Sequence, residues 1–169
     1  MRQNNINLSY IIGHRGVAKE RVDNLYAVIS FLYQYFANIE IIVVEQDAKP
    51  SHLILPGNAK YLFLFNPGLY NRAWGFNVAI KHANHNIVAF ADNDIIVPPE
   101  AITQAYTACI MHGTASPYNS KKLLDLSYDA TQSFLATSQL NNLSGKLRPC
   151  CNYAGGILFM SKPIFRQLG

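Results

Sequence analysis

The chain has 169 residues, 50% of them hydrophobic, and its 14 Lys and Arg against 10 Asp and Glu give a formal charge of +4. That length and apolar content suffice for the core of one domain and exclude a disordered chain. The basic residues are scattered, with no basic run or arginine-rich helix, which argues against a dedicated nucleic-acid binder and suits a pocket for an anionic small molecule.

Three cysteines, Cys109, Cys150 and Cys151, lack metal-ligand spacing, and their odd count argues against a disulfide framework, so a reducing cytoplasm is the simpler setting. The N-terminus "MRQNNINLSYII" has no long apolar core or small-residue cleavage site. No apolar run reaches the roughly 18 residues of a membrane helix, and the chain reads as soluble.

Short apolar runs alternate with helical patterns, the signature of α/β architecture. Leu8 to Ile12 reads as a buried strand that ends in the turn "GHRG". From Lys19 to Phe36, Val22, Leu25, Ile29, Leu32 and Phe36 follow helical spacing. Glu40 to Val44 is a second strand, continuously apolar as expected when both faces are covered. Residues 46–59 carry Pro50, Pro56 and Gly57 and read as a loop. Tyr61 to Phe65 is a third strand, and Tyr70 to Ala83 a helix with Trp74, Val78 and the stem of Lys81 on one side. Ile87 to Ala91 is a fourth strand. Pro98-Pro99 opens a helix to about Met111 with Gly113 as its C-cap. Thr114 to Tyr118 reads as a short strand, Asp125 to Leu140 as a helix or an excursion, Ala154 to Met160 as a strand, and Ser161-Lys162-Pro163 starts a last helix.

In an open α/β sheet, ligands bind beyond the carboxyl ends of the strands. Four clusters lie at such ends and are expected to converge: "GHRG", "EQDA", "NPGLYNRAWG" and "DND". Asp92 and Asp94, two residues apart, project to one side of an extended segment, roughly 6–7 Å apart. That spacing can share a hard divalent cation, one carboxylate directly and the other through water or ribose hydroxyls. D-x-D alone equally marks a solvated turn. Here "IVAF" before it and "IIVPP" after it leave little polar surface, which favours a ligand. Arg72, after a Pro-Gly turn, suits either a diphosphate or a surface ion pair, and Arg15 offers the same two roles. Asp47 can accept from a nucleobase or close a turn. His14 lies near the same edge but, like the other histidines, shows no ligand spacing. Gly155-Gly156 either eases close packing or lets a ligand approach the backbone.

Together these clusters resemble a GT-A fold glycosyltransferase of the family 2 type, with a particular likeness to the β-1,4-galactosyltransferase group. The strongest part is "YNRAWGFNVAIKHANHNIVAFADNDIIVPPE", similar to that group's N-R-A helix, strand, D-x-D and proline turn; "NYAGGILFMSKPIFRQLG" looks like its glycine-glycine strand and following helix. The resemblance implies a single domain over residues 1–169, incomplete at its C-terminal side, with a mixed sheet flanked by helices. It implies transfer of a sugar from a UDP-sugar to a glycan or other hydroxyl acceptor, with inversion, in polysaccharide biosynthesis.

By the same resemblance Asp94 ligates Mn²⁺ or Mg²⁺ on the nucleotide diphosphate, and Asp92 contacts the ribose and supports the metal. Tyr70 and Arg72 face the donor, Arg15 the diphosphate, and Asp47, with Gln46 beside it, the uracil. Gly155 and Gly156 lie near the sugar or acceptor. The pattern departs at the first strand, where proline and arginines are replaced by Gly13-His14-Arg15, so only Arg15 carries over. The catalytic base, supplied in the family by a later tryptophan- and glycine-rich segment with an acidic pair, is expected beyond Gly169, leaving turnover weak or absent. A noncatalytic nucleotide-sugar or glycan-binding module is the alternative. A nucleotidyltransferase is disfavoured because its glycine-rich, lysine-bearing loop is missing.

Overall fold

The computed structural model describes residues 5–16, 18–118, 122–149 and 156–168. The elements in chain order begin β1 (Leu8–His14), α1 (Lys19–Tyr35), β2 (Glu40–Asp47), β3 (Lys60–Phe65), α2 (Arg72–Ala79) and β4 (Ile87–Asp92). They continue with α3 (Pro99–His112), β5 (Thr114–Ala115), β6 (Lys122–Leu126), α4 (Tyr128–Thr137), β7 (Gly145–Pro149), β8 (Ile157–Ser161) and α5 (Lys162–Gln167). Six strands form one sheet in the order β3-β2-β1-β4-β8-β5, and β6 pairs with β7 alone. Strands β3, β2, β1 and β4 are parallel, while β8 runs antiparallel to β4 and β5 antiparallel to β8.

The chain leaves β1 toward β2 and β3, then returns to place β4 on the other side of β1. The switch in winding therefore falls between β1 and β4, where an open α/β sheet parts its two crossovers and leaves a crevice. In register, Gly13 stands opposite Asp92 there.

Strand parity distributes the side chains between two cores. Leu8, Tyr10 and Ile12, with Ile41, Val43, Ala89 and Ala91, pack under α1 and α3. Ile11, Ile42, Val44, Val88 and Phe90 pack under Phe76 and Ala79 of α2 and Phe165 of α5. Counted outward along the same strands, His14 and Glu45 fall on the α1 side, whereas Gly13, Gln46 and Asp92 fall on the α2 side.

The strands of the six-stranded sheet, the long helices and the last helix lie where the apolar patterns place them, whereas β6 and β7 were not expected from the sequence. The differences are local. β2 continues through Asp47, so Gln46 and Asp47 are strand residues. α2 begins at Arg72, capped by the Asn71 side chain, and ends in a 3₁₀ turn over Ile80–His82. Its buried residues are Gly75, Phe76 and Ala79, not Trp74, which is 38% exposed. Gly113, at φ 83°, closes α3 as its C-cap. Residues 125–140 resolve into the end of β6 and α4, and Phe134 of α4 meets Phe31 of α1 with ring centroids 5.9 Å apart. Among the described residues, no helix is long and apolar enough to cross a membrane.

Candidate functional site

Three of the four clusters meet at the switch point. A cavity of about 470 Å³ is lined by Gly13, Arg15 and Gly16 from the end of β1, Arg21 from the first turn of α1, Tyr70 from the approach to α2, and Asp92, Asn93 and Asp94. Asp92 and Asp94 also line a wider cleft of about 1030 Å³, walled by Ile95, Ile96 and, from the β6–α4–β7 excursion, Leu126 and Leu135. The two carboxylates thus border both spaces.

Asp92 ends β4, and its N–H donates to the Gly156 carbonyl at 2.9 Å. Its carboxylate has a cationic partner: Nη2 of Arg72 lies 3.0 Å from Oδ1. The same nitrogen reaches the Gly156 carbonyl at 3.4 Å, and the guanidinium lies over the Phe76 ring, 5.0 Å from its centroid. Partial burial raises the Asp92 carboxyl above its ordinary value; Arg72 pulls it down and the charge of Asp94 pushes it up. Gly156 has φ 83°, a conformation that favours glycine. Gly155, Cys150 and Cys151 lie outside the described residues.

Arg72 is held by its helix start. The Asn71 side chain accepts from the Trp74 N–H at 2.9 Å. The buried Gln46 grips the same turn from β2: its Nε2 donates to the Asn71 carbonyl at 2.6 Å, and its Oε1 accepts from the Asn71 N–H and Asn66 Nδ2, each at 3.0 Å. Gln46 is thereby committed to the protein itself. Asp47 stands at the end of β2, outside the cavity lining, and its Oδ1 accepts from the Ala48 N–H at 2.7 Å. The Tyr70 hydroxyl sits over Gly13, where a Cβ would overlap it. That close approach accounts for the glycine at the end of β1.

The sequence pattern did not single out the groups beneath the acidic pair. Asn93 is 7% exposed and His14 1%, and Nδ2 of Asn93 lies 3.0 Å from Nδ1 of His14. Glu45, fully buried next to His14 in register, accepts from the Ser51 N–H at 3.1 Å and from the Ser51 and Tyr61 hydroxyls. The buried polar residues His14, Glu45, Gln46 and Asn93 all cluster at the carboxyl ends of β1, β2 and β4. The available signal was position alone: polar residues at the ends of otherwise apolar strands.

Among the described residues, no three His, Cys, Asp or Glu side chains converge to hold a metal. Two carboxylates beside a cavity carrying Arg15 and Arg21 instead match the donor set of a Mg²⁺-like cation. Such an ion takes one or two protein carboxylates and fills its remaining positions with substrate phosphate oxygens and water.

The model of the protein family described as "Glycosyl transferase family 2" matches residues 17–118. No curated protein matches the chain. Among solved structures, the chain is similar to the mannosyltransferase PcManGT from Pyrobaculum calidifontis in complex with GDP-Man and Mn²⁺, with 15% identity and a TM-score of 0.52 over 96% of this chain and 46% of that one. It is similar to 2-C-methyl-D-erythritol 4-phosphate cytidylyltransferase from Thermus thermophilus, with 13% identity and a TM-score of 0.57 over 96% of this chain and 74% of that one. S. aureus TarS 1-349 matches at 22% identity and a TM-score of 0.45, over 70% of this chain and 35% of that one. The chain thus spans less than half of PcManGT and of TarS.

Proposed function

This chain belongs to glycosyl transferase family 2 and has the GT-A type of fold, and we propose that it binds a UDP-sugar with a divalent cation, Mn²⁺ or Mg²⁺, and transfers the sugar with inversion to a hydroxyl acceptor. The observation that carries this reading is the convergence of Asp92 and Asp94 with Arg15, Arg21 and Tyr70 around one cavity at the switch point. The order of the N-R-A helix, D-x-D and glycine strand supports the β-1,4-galactosyltransferase-like branch.

In this reading Asp94 and Asp92 hold the cation, which when bound neutralises charge on the departing diphosphate. Arg15 faces the diphosphate. Arg72, paired with Asp92, keeps that carboxylate ionised and aligned and lies with Tyr70 beside the donor. In the same reading Asp47, at the end of β2, accepts from the uracil, and Gly156 lies by the sugar. The wider cleft that the two carboxylates also line admits the acceptor. Its hydroxyl oxygen attacks the anomeric carbon, the bond to the diphosphate oxygen breaks, and the hydroxyl proton passes to a general base that no described residue is assigned to supply.

Calorimetric titration of UDP with and without Mn²⁺ tests the donor site. Mn²⁺-dependent binding that disappears in Asp94→Asn supports it, and binding indifferent to Mn²⁺ and to that substitution sinks it. A parallel titration with GDP checks the base, since tighter GDP binding replaces UDP-sugar by a GDP-sugar. Binding without transfer from any UDP-sugar would leave a noncatalytic nucleotide-sugar-binding module.

A further inference from the structure

The middle residue of D-x-D is the least exposed of the three. The extended D-x-D expected from the sequence is not formed: Asp92 ends β4, and Asn93 and Asp94 make the turn that follows, in which the Asn93 side chain lies on the α1 side of the sheet. There Nδ2 of Asn93 reaches Nδ1 of His14 at 3.0 Å and the Arg21 carbonyl at 3.4 Å. The amide N–H donates, so in the tautomer that completes this bond Nδ1 of His14 accepts and the ring proton sits on Nε2. Nε2 is buried and has no hydrogen-bond partner among the described residues.

This arrangement is poor for stability. An apolar pair of similar shape would fill the space without desolvating an amide and an imidazole. What the hydrogen bonds add is direction, because they favour a narrow range of angles and distances where an apolar contact does not. They tie the acidic turn to the end of β1 and to the first turn of α1, whose Arg21 side chain lines the same cavity.

We infer that Asn93 and His14 are positioning residues that fix the direction of the Asp92 and Asp94 carboxylates toward a donor-bound divalent cation. The inference rests on the donor-site reading above. Neither residue touches the cation; each acts through the backbone between the carboxylates.

The test uses Asn93→Leu, His14→Phe and the double variant in the full chain, with melting temperature and calorimetric titration of UDP plus Mn²⁺. Each single variant is expected to weaken Mn²⁺-dependent UDP binding by roughly tenfold to a hundredfold, the range for groups that orient metal ligands, at an unchanged or higher melting temperature. The double variant is expected to bind no worse than the weaker single one, because both remove one shared contact. Wild-type affinity in either folded single variant overturns the inference, as does an affinity loss that tracks a fall in melting temperature in both. Nitrogen shifts placing the His14 proton on Nδ1 also overturn it. If the wild-type chain binds no UDP with Mn²⁺, the donor-site reading fails and the inference with it; wild-type binding retained in the variants overturns the inference alone.

Discussion

Arg72 reaches across the end of the sheet to Asp92, with its Nη2 3.0 Å from the carboxylate oxygen, although the two are 20 residues apart and belong to different elements. Both groups are partly open to solvent, so the pair adds little stability. Its effect lies in holding a half-buried carboxylate ionised.

Arg72→Ala is therefore expected to cost about tenfold in Mn²⁺-dependent UDP affinity, in line with loss of one hydrogen bond to a charged group. The sign of its pH effect is fixed. Burial already raises the Asp92 carboxyl and Arg72 opposes that rise. Without the arginine the carboxyl climbs further, and the acid limit of binding moves to higher pH. Arg72→Lys should recover part of the affinity, since it restores charge without the planar fork. Titrations from pH 5 to 8 measure both effects.

Gly13→Ala is expected to destabilise the fold by about 1–3 kcal/mol, because the added methyl overlaps the Tyr70 hydroxyl in a packed place. Tyr70→Phe removes that oxygen. The double variant should regain most of the loss in denaturant unfolding, whereas additive losses would show that the phenol is not what limits position 13.

Gln46→Leu keeps the volume near that of glutamine but removes the partner of the Asn71 N–H and leaves the Asn71 carbonyl with the Gly75 N–H alone. A loss of about 1 kcal/mol follows from the lost hydrogen bonds. Because the same turn starts α2, UDP affinity should fall as well. Unchanged affinity in a destabilised variant would detach Gln46 from the placement of Arg72.

His14 sets a pH dependence of stability. Burial lowers its pKa from the ordinary 6.5; Glu45, the Gly16 backbone and Asp47 oppose that shift, and Arg21 adds to it. Between the lowered value and 6.5 the unfolded chain binds the proton that the folded chain refuses. Stability is therefore complete above pH 6.5 and declines as pH falls through that window. His14→Phe should flatten this part of a melting-temperature profile, and an unchanged slope would assign the effect to other groups.

The fold was largely legible in the sequence because its parallel strands are buried on both faces. "YIIG", "EIIVV" and "IVAF" carry that burial as uninterrupted apolar runs, and Pro98-Pro99 and Gly113 bracket a helix by their backbone constraints. The buried face of α2 was not legible because Gly75 occupies it. A glycine that makes room for Gln46 carries no hydrophobic signal, while the larger Trp74 does and stands outside. Among the described residues, strands β6 and β7 pair only with each other; residues 123–126 are partly to fully exposed, residues 145–148 are exposed, and they bear no mark of a core. At the site, charge made Asp92, Asp94, Arg15 and Arg72 visible. Asn93 carried no signal of its own and His14 showed no ligand spacing, since a hydrogen bond between residues 79 apart leaves no trace in local pattern.

The strand alternation that sets Asp92 on the Arg72 side also makes the site intolerant of length changes. One residue inserted directly after Ile87 would turn every later strand residue over to the other face of the sheet, carrying Asp92 to the α1 side and away from Arg72. Val88 and Phe90 would exchange places with Ala89 and Ala91 in the same step. Insertions can be absorbed by the loop before β4 and in the segment between β4 and α3. Within the strand, Asp92 and the apolar floor can only be inherited as one block.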